Sequence, residues 1–261
     1  MMRNIVRFLT AFPKIISARI GLREHRPCIG IAVSDAWPDR FQFRRLPYDL
    51  AIARARGNVC TFTPQDLPEL DSKFACIDGL LLAGGEDVHP EHYGGDEDAV
   101  GKVNIERDEL EMILLEEAAR RRLPVLCVCR GAQLLAVWAG GRLESMDENT
   151  KMMKIHVSTL RRFARHRLCV KPGTRIFNIL GDKPLKVNSF HHQTIIDPGK
   201  LHISAFTTRG SIEGVELEGD RFVVGVQWHP EFQAIFNLRH QALFSALVAA
   251  ARDFRKEQRK D

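Results

Sequence analysis

Short apolar runs alternate with amphipathic stretches along the first half of the chain. The apolar runs predict strands over residues 28–33, 59–61, 77–83 and 125–128. The amphipathic and Ala/Leu-rich stretches predict helices over residues 46–56, 108–122 and 132–139. Strands that alternate with helices in this way favour an α/β fold, in which helices cover both faces of a mostly parallel sheet.

After residue 168 the predicted elements become shorter and the turns more frequent. Strands are predicted over residues 168–170, 201–206, 212–217 and 222–227. This texture indicates a smaller, partly antiparallel segment in addition to the parallel sheet. A closing helix over residues 234–254 and a solvated tail over residues 255–261 complete the prediction.

The composition is that of an ordinary globular protein and argues against several functional classes. With 261 residues, 44% of them hydrophobic and 27% charged, the chain is long enough for one α/β domain with a sizeable core. No apolar run approaches the roughly 20 residues that cross a bilayer, so no transmembrane segment is expected. The net charge of +5 is mild, and no basic face carries interleaved aromatic residues, so no nucleic-acid partner is expected.

The cysteines and the first residues bear on the cellular compartment. Six cysteines lack the regular spacing of a disulfide framework, which favours a reducing, cytoplasmic location. Residues 1–26 are basic and apolar, with no acidic residue before Glu24. We interpret them as an N-terminal extension of the domain formed by residues 27–261, or as the result of a mis-assigned start codon. Targeting to an organelle, or contact with a membrane surface, is the alternative.

The connection between the fourth predicted strand and its helix carries Cys129. A turn of only about one or two residues holds its pivot in strained geometry, with the side chain above the sheet edge. Gly131 leaves room for this close approach, and the helix N-terminus favours the thiolate form of Cys129. The pattern predicts a nucleophile elbow; the alternative is that Cys129 is a small core residue.

A second motif, Gln-Trp-His-Pro-Glu at residues 227–231, follows the last predicted strand. On an extended segment His229 and Glu231 point to the same face, and Pro230 stiffens the link between them. A cysteine nucleophile needs a base that a carboxylate orients. Cys129, His229 and Glu231 are therefore the candidate catalytic residues.

Four motifs together resemble the class I glutamine amidotransferase superfamily. Two are Cys-Arg-Gly-Ala-Gln at residues 129–133 and the Gln-Trp-His-Pro-Glu motif. The other two, residues 80–94 and 187–193, resemble the γ-glutamyl hydrolase branch, whose bacterial members cleave γ-glutamyl-γ-aminobutyrate in putrescine breakdown. The resemblance covers roughly residues 27–250. It implies a flavodoxin-like fold and hydrolysis of a γ-glutamyl amide through a cysteine thioester, with no cofactor.

Three positions depart from the family pattern. Cys127 stands where the family usually has glycine two residues before the nucleophile, and this change is expected to be tolerated. Leu143-Glu-Ser-Met-Asp147 replaces a Leu-x-Gln-Asp motif, and Arg209-Gly210 replaces an Asp-Gly pair. These two changes bear on the substrate pocket.

The predicted substrate-binding residues fall into three groups. The backbone N–H groups of Arg130 and of Gly84 or Gly85 can donate to an oxyanion, although the two glycines can also form a plain turn. Gln133 lies one helical turn after the nucleophile and can bond the glutamyl head or face solvent. As the resemblance implies, Phe190 and His191 are expected in a loop that lines the pocket.

A metal site is not predicted. Cys127 and Cys129 are too close together for a zinc knuckle, and no second cysteine pair follows them. The adjacent His191 and His192 are poorly spaced for chelating one ion on regular structure.

Three functions are compatible with these motifs. The preferred one is a stand-alone hydrolase that releases glutamate and an amine from a small γ-glutamyl substrate. The second is a glutaminase subunit that passes ammonia to a separate synthase. The third is a non-catalytic binding protein on the same fold, which the intact cysteine, histidine and glutamate argue against. The sequence leaves the amine unidentified and is compatible with a homodimer.

Overall fold

The computed structural model describes residues 26–32, 45–145 and 164–259. In this part of the chain there is a nine-stranded sheet and a separate two-stranded sheet. The strands are β1 (Cys28–Ala32), β2 (Asn58–Phe62), β3 (Gly79–Leu82), β4 (Val125–Val128), β5 (Arg142–Ser145), β6 (Ala164–Val170), β7 (Leu185–Ser189), β8 (Gln193–Asp197), β9 (His202–Thr207), β10 (Ile212–Glu216) and β11 (Val223–Val226). The helices are α1 (Leu46–Arg54), α2 (Leu70–Phe74), α3 (Ile105–Arg120), α4 (Arg130–Trp138), α5 (Arg175–Leu180), α6 (Pro230–Ala234) and α7 (Leu238–Gln258).

Half of the large sheet is parallel, as the sequence predicts. Its strand order is β2–β1–β3–β4–β11, and each neighbouring pair is parallel. Every residue of β3, β4 and β11 is buried, which explains why these strands read as continuous apolar runs. The carboxyl ends of these three strands lie side by side, so the residues that follow them meet at one edge of the sheet.

The other half of the large sheet is antiparallel. β10, β9, β6 and β7 continue it from β11, and every pair among them is antiparallel. β5 and β8 form the separate two-stranded sheet, which packs against α4. The expected combination of a parallel sheet with a smaller antiparallel segment is confirmed.

Two clusters of buried apolar side chains cover the two faces of the sheet. On one face Leu114 of α3 and Leu134 of α4 belong to the cluster. On the other face Ile52 of α1 and Leu247 of α7 do so. The sheet is therefore sandwiched between helices, and its edge, where the strands end, is left for a site.

The predicted closing helix over residues 234–254 is wrong at both ends. The short helix α6 ends at Ala234, and α7 begins only at Leu238. The side chain of Asn237 accepts a hydrogen bond from Arg239 N–H and caps α7, which stops a continuous helix from forming. At the other end α7 runs to Gln258, so most of the predicted tail is helical. Arg255 donates to the carbonyl of Arg26 and ties this last part of α7 to the body of the domain.

Several elements were not predicted from the sequence. These are the strands β5, β7 and β8 and the helices α2, α5 and α6, which are short and contain several polar residues. Residues 1–25, most of the predicted N-terminal extension, lie outside the described residues, as do residues 146–147 of one departing motif. Among the helices that are described, none is both long and apolar enough to cross a membrane.

Candidate active site

Cys129 by itself connects β4 to α4. Its backbone has φ of 52° and ψ of −108°, an unfavourable region for a residue with a side chain. The neighbouring strand helps to hold this geometry, since Cys129 N–H donates to Val226 O at 2.7 Å. A Cβ atom on Gly131 would overlap the backbone carbonyl of Leu82, so glycine is needed there. The predicted strained elbow is thus present.

His229 lies against Cys129 and Glu231. Its Nδ1 is 2.6 Å from Glu231 Oε1, and its ring lies close enough to Cys129 for the two side chains to interact electrostatically. Because Nδ1 is bonded to Glu231, Nε2 is the ring nitrogen that can interact with the thiol. The structure therefore brings together the three residues that the sequence analysis named as candidates.

The sequence analysis expected His229 and Glu231 to meet on one face of an extended segment, and this expectation was wrong. His229 and Glu231 do not share an extended segment, because His229 is the N-cap residue of α6 and Glu231 lies in its first turn. The chain turns into the helix at Pro230, which suits the first helical position. The carboxylate then folds back onto the imidazole across this turn.

Three effects set the charge state of His229. Burial by itself lowers the pKa of the imidazole, because it penalises the charged form. The carboxylate of Glu231 and the side chain of Cys129 favour the charged form and outweigh burial, so the pKa of His229 lies well above its ordinary value.

Neighbouring side chains fix the position of His229. Its backbone N–H donates to Asn188 Oδ1 at 3.1 Å. The rings of Phe190 and Phe232 lie 5.4 Å and 5.7 Å from the imidazole, centroid to centroid. The sequence analysis placed Phe190 in the pocket, whereas Phe232 was missed because nothing in the sequence distinguishes it from a core residue of a helix.

The loop after β3 approaches the site from the other side. A Cβ atom on Gly84 would lie 2.6 Å from the ring of His229, so this loop passes directly beside the imidazole. The backbone N–H of Gly84 already donates to the hydroxyl of Tyr48 at 3.1 Å. Of the two glycines, Gly85 is therefore the better candidate for donating to an oxyanion, and it lines the same pocket as Cys129.

Tyr48 is a further residue that the sequence analysis missed. Burial raises the pKa of its phenol, and the nearby charge of Glu231 raises it further. The hydroxyl thus stays protonated, and it accepts the hydrogen bond from the backbone N–H of Gly84. It belongs to α1, about 180 residues from Glu231 in the chain, so no local pattern could have identified it.

Arg130 and Gln133 are buried, and their side chains point to protein partners. The Arg130 guanidinium forms ion pairs with Asp108 and Glu111 of α3, which leaves only its backbone N–H as a candidate contact to substrate. The Gln133 amide donates to Gln193 O at 2.7 Å and lies 3.3 Å from Gln227 Oε1. The alternative that Gln133 faces solvent is wrong.

A pocket of about 270 Å³ opens beside Cys129. Its lining includes four predicted residues: Gly85, Gln133, Phe190 and His191. Glu86, Asp87, Lys102 and His192 also line it. A volume of this size suits a small molecule. The substrate-binding roles stay a prediction.

His191 belongs to a buried group with His166 and Glu213. His191 Nδ1 donates to Gln193 O at 2.8 Å, and its Nε2 lies 3.8 Å from Glu213 Oε1. His166 Nε2 lies 3.2 Å from the same oxygen. Burial alone would raise the pKa of Glu213, but the two histidines bring it down to about 2. The charged Glu213 therefore helps to hold His191 in the pocket wall.

No group of three or more His, Cys, Asp or Glu side chains in the described part of the chain is arranged to hold a metal ion. All six cysteines lie in this part, and all are free thiols. The prediction that no metal takes part stays a prediction.

Comparisons with known proteins agree with the fold. A family model described as Peptidase C26 matches residues 27–231. A Schizosaccharomyces pombe protein with a provisional glutamine amidotransferase name is 37% identical over 208 residues, which cover 78% of this chain and 79% of that protein. The γ-glutamyl-γ-aminobutyrate hydrolase of Escherichia coli O157:H7 is 30% identical over 209 residues, covering 74% of this chain and 81% of that protein. The glutaminase domain of Trypanosoma brucei CTPS, with bound acivicin, has the same fold: the TM-score is 0.62 at 16% identity, and 85% of this chain and 94% of that chain are covered.

Proposed function

This chain belongs to the Peptidase C26 family, and we propose that it hydrolyses a γ-glutamyl amide such as γ-glutamyl-γ-aminobutyrate. The observation that most supports this is the position of Cys129. It occupies the strained elbow beside His229, whose Nδ1 lies 2.6 Å from Glu231 Oε1. A thiol, a base and an orienting carboxylate are the groups that nucleophilic amide hydrolysis needs.

In the first half of the proposed reaction, the Cys129 thiolate attacks the γ-carbonyl carbon and a C–S bond forms. The carbonyl oxygen becomes an oxyanion beside the backbone N–H groups of Gly85 and Arg130. When this intermediate collapses, the C–N bond breaks and the His229 imidazolium gives its proton to the departing amine. The product of this half is a glutamyl thioester.

In the second half, water attacks the thioester carbonyl. The neutral His229 takes a proton from the water, and Glu231 stabilises the imidazolium that forms. The C–S bond then breaks, the thiolate is restored, and glutamate leaves. Atoms and charges balance without a cofactor.

Purified protein should be tested on γ-glutamyl-γ-aminobutyrate, γ-glutamyl-putrescine and glutamine. The pocket of a free-standing hydrolase also holds the amine beyond the scissile bond, so at least one γ-glutamyl amine should exceed glutamine in kcat/KM by about 10-fold or more. The Cys129→Ala variant should keep the fold, as judged by circular dichroism, and lose turnover. Equal rates on glutamine and every amide would contradict the proposal.

A glutaminase subunit is the second candidate. The similarity to the Schizosaccharomyces pombe protein with an amidotransferase name supports it. So does exposed apolar surface just after α6, the helix whose N-cap residue is His229, because Phe236 is 89% exposed and Leu238 72% exposed, and a synthase partner could cover them. In that case glutamine should be the best substrate, and the rate should rise when a cell extract supplies the partner.

A further inference from the structure

We infer that Arg107 is a positioning residue that aims the two backbone donors at the oxyanion, with Glu111 linking it to the second donor. The donors are the N–H groups of Gly85 and Arg130, so the inference rests on the proposed function. The argument concerns a buried charged cluster, defined as Arg107, Asp108, Glu111 and Arg130, which lies beneath the elbow.

Arg107 holds the peptide unit that carries the first donor. Its Nη2 donates to Gly84 O and to Ala83 O, both at 3.2 Å. In a trans peptide the C=O and the following N–H point in opposite directions. A guanidinium that holds Gly84 O therefore turns the N–H of Gly85 away from itself, and Gly85 lines the pocket that also contains Cys129.

The same loop rests directly on the guanidinium. A Cβ atom on Gly85 would collide with Arg107 Nη1, so only glycine allows the backbone to come this close. Glu86, the next residue in the loop, also pairs with Arg107 Nη1, at 3.3 Å. One planar, five-donor group thus bonds the loop at three residues, Ala83, Gly84 and Glu86.

Glu111 connects this contact to the second donor. Its Oε1 accepts from Arg107 Nε at 2.8 Å, and its Oε2 accepts from Arg130 Nη1. Asp108 holds the other end of the Arg130 guanidinium. Since Arg130 is the first residue of α4, immediately after Cys129, the cluster ties both donors to one rigid helix, α3.

Burial makes this arrangement stiff. The four side chains of the cluster are at most 1% exposed, so water cannot replace a lost partner cheaply. Oxyanion donors act only when they are held in place before the charge develops. A buried network of charge-assisted hydrogen bonds provides that fixed geometry.

The test compares two chemistries at the same sulfur in the Arg107→Met variant. Acylation by a chromogenic γ-glutamyl anilide develops an oxyanion, whereas alkylation by iodoacetamide displaces iodide from a saturated carbon and develops none. We expect kcat for acylation to fall by about 100-fold, with KM changed by less than about threefold. Alkylation of Cys129, followed by peptide mapping, should stay within about twofold of wild type. Arg120→Met, at the exposed end of the same helix, is the control and should change neither rate.

Parallel loss of acylation and alkylation in Arg107→Met would overturn the inference, because it would mean that Arg107 only supports the fold or the thiol. Acylation within about threefold of wild type would overturn it too. If Arg107→Met does not fold, Arg107→Lys carries the same test. It keeps the charge but not the planar fork, so about 10-fold loss of acylation with normal alkylation is expected.

Failure of the proposed function has a different signature. In that case the wild-type protein cleaves no γ-glutamyl amide at all. Crystal structures of wild type and Arg107→Lys then decide the inference without activity. A rotated peptide between Gly84 and Gly85 supports it, and an unchanged peptide overturns it.

Discussion

Replacing Glu231 by glutamine tests the electrostatic part of the site. The substitution keeps the shape of the side chain but removes the negative charge next to His229. With that charge gone, burial dominates and the pKa of His229 should fall. In the proposed reaction the imidazolium protonates the departing amine, so the basic limb of the kcat/KM profile should move to lower pH.

The structure allows the size of this shift to be worked out. The two side chains are largely buried, with the imidazole 12% and the carboxylate 1% exposed, so solvent screens the pair weakly. An imidazolium and a carboxylate whose charge centres lie about 4 Å apart attract each other by about 4 kcal/mol at an effective dielectric constant of about 20. Since 1.36 kcal/mol corresponds to one pH unit, the basic limb can move by at most about 3 pH units. Relaxation of the site reduces it, so we expect the basic limb to move down by about 1 to 3 units.

The assay is kcat/KM between about pH 5 and pH 10 on the best γ-glutamyl substrate. The matched control is Glu216→Gln, which also removes a buried carboxylate. Glu216 lies at the far end of β10, where it accepts from the backbone N–H groups of Arg175 and Ile176. The control should leave the basic limb in place. A basic limb at the same pH in Glu231→Gln and wild type would refute the assigned role of the carboxylate.

Three further predictions concern single positions. Gly131→Ala should lower activity by about 100-fold or more and reduce Tm by several degrees, because the new Cβ overlaps the backbone of Leu82; unchanged kinetics and melting would contradict the elbow geometry. Burial, with a smaller contribution from a neighbouring arginine, lowers the pKa of His240 to about 4, so protonation of the unfolded chain should reduce stability as pH falls from about 6.5 toward 4. Between about pH 7 and pH 5 the free energy of unfolding of wild type should fall by about 2 kcal/mol more than that of His240→Gln, as measured by urea unfolding. Equal falls in the two proteins would refute this. Burial also raises the pKa of Cys127, so iodoacetamide should label Cys129 long before Cys127 when fragment masses separate the two; the reverse order would show that the wrong cysteine was chosen.

The parts of the structure that are determined by residues close together in the sequence were predictable. The apolar run of β4, the one-residue turn and the helix α4 are local, so the elbow at Cys129 followed from the pattern of side chains alone. The same holds for the parallel half of the sheet, because buried parallel strands and covering helices leave distinct periodic patterns. The glycine-rich end of β3 also placed the loop of Gly84 and Gly85 at the correct edge.

Contacts between distant segments were decided only by the tertiary structure. The sequence paired His229 with Glu231 by assuming an extended chain, whereas the fold pairs them across the start of a helix. The charged cluster under the elbow left one weak signal. Arg107 and Glu111 are four residues apart, on the same side of α3 as its buried leucines, and charge on an apolar face needs a partner. The partner is Arg130, next to the nucleophile, and this pairing depends on how α3 and α4 pack on the sheet. The periodicity of a sequence predicts which face of a helix is buried, but not which element that face contacts.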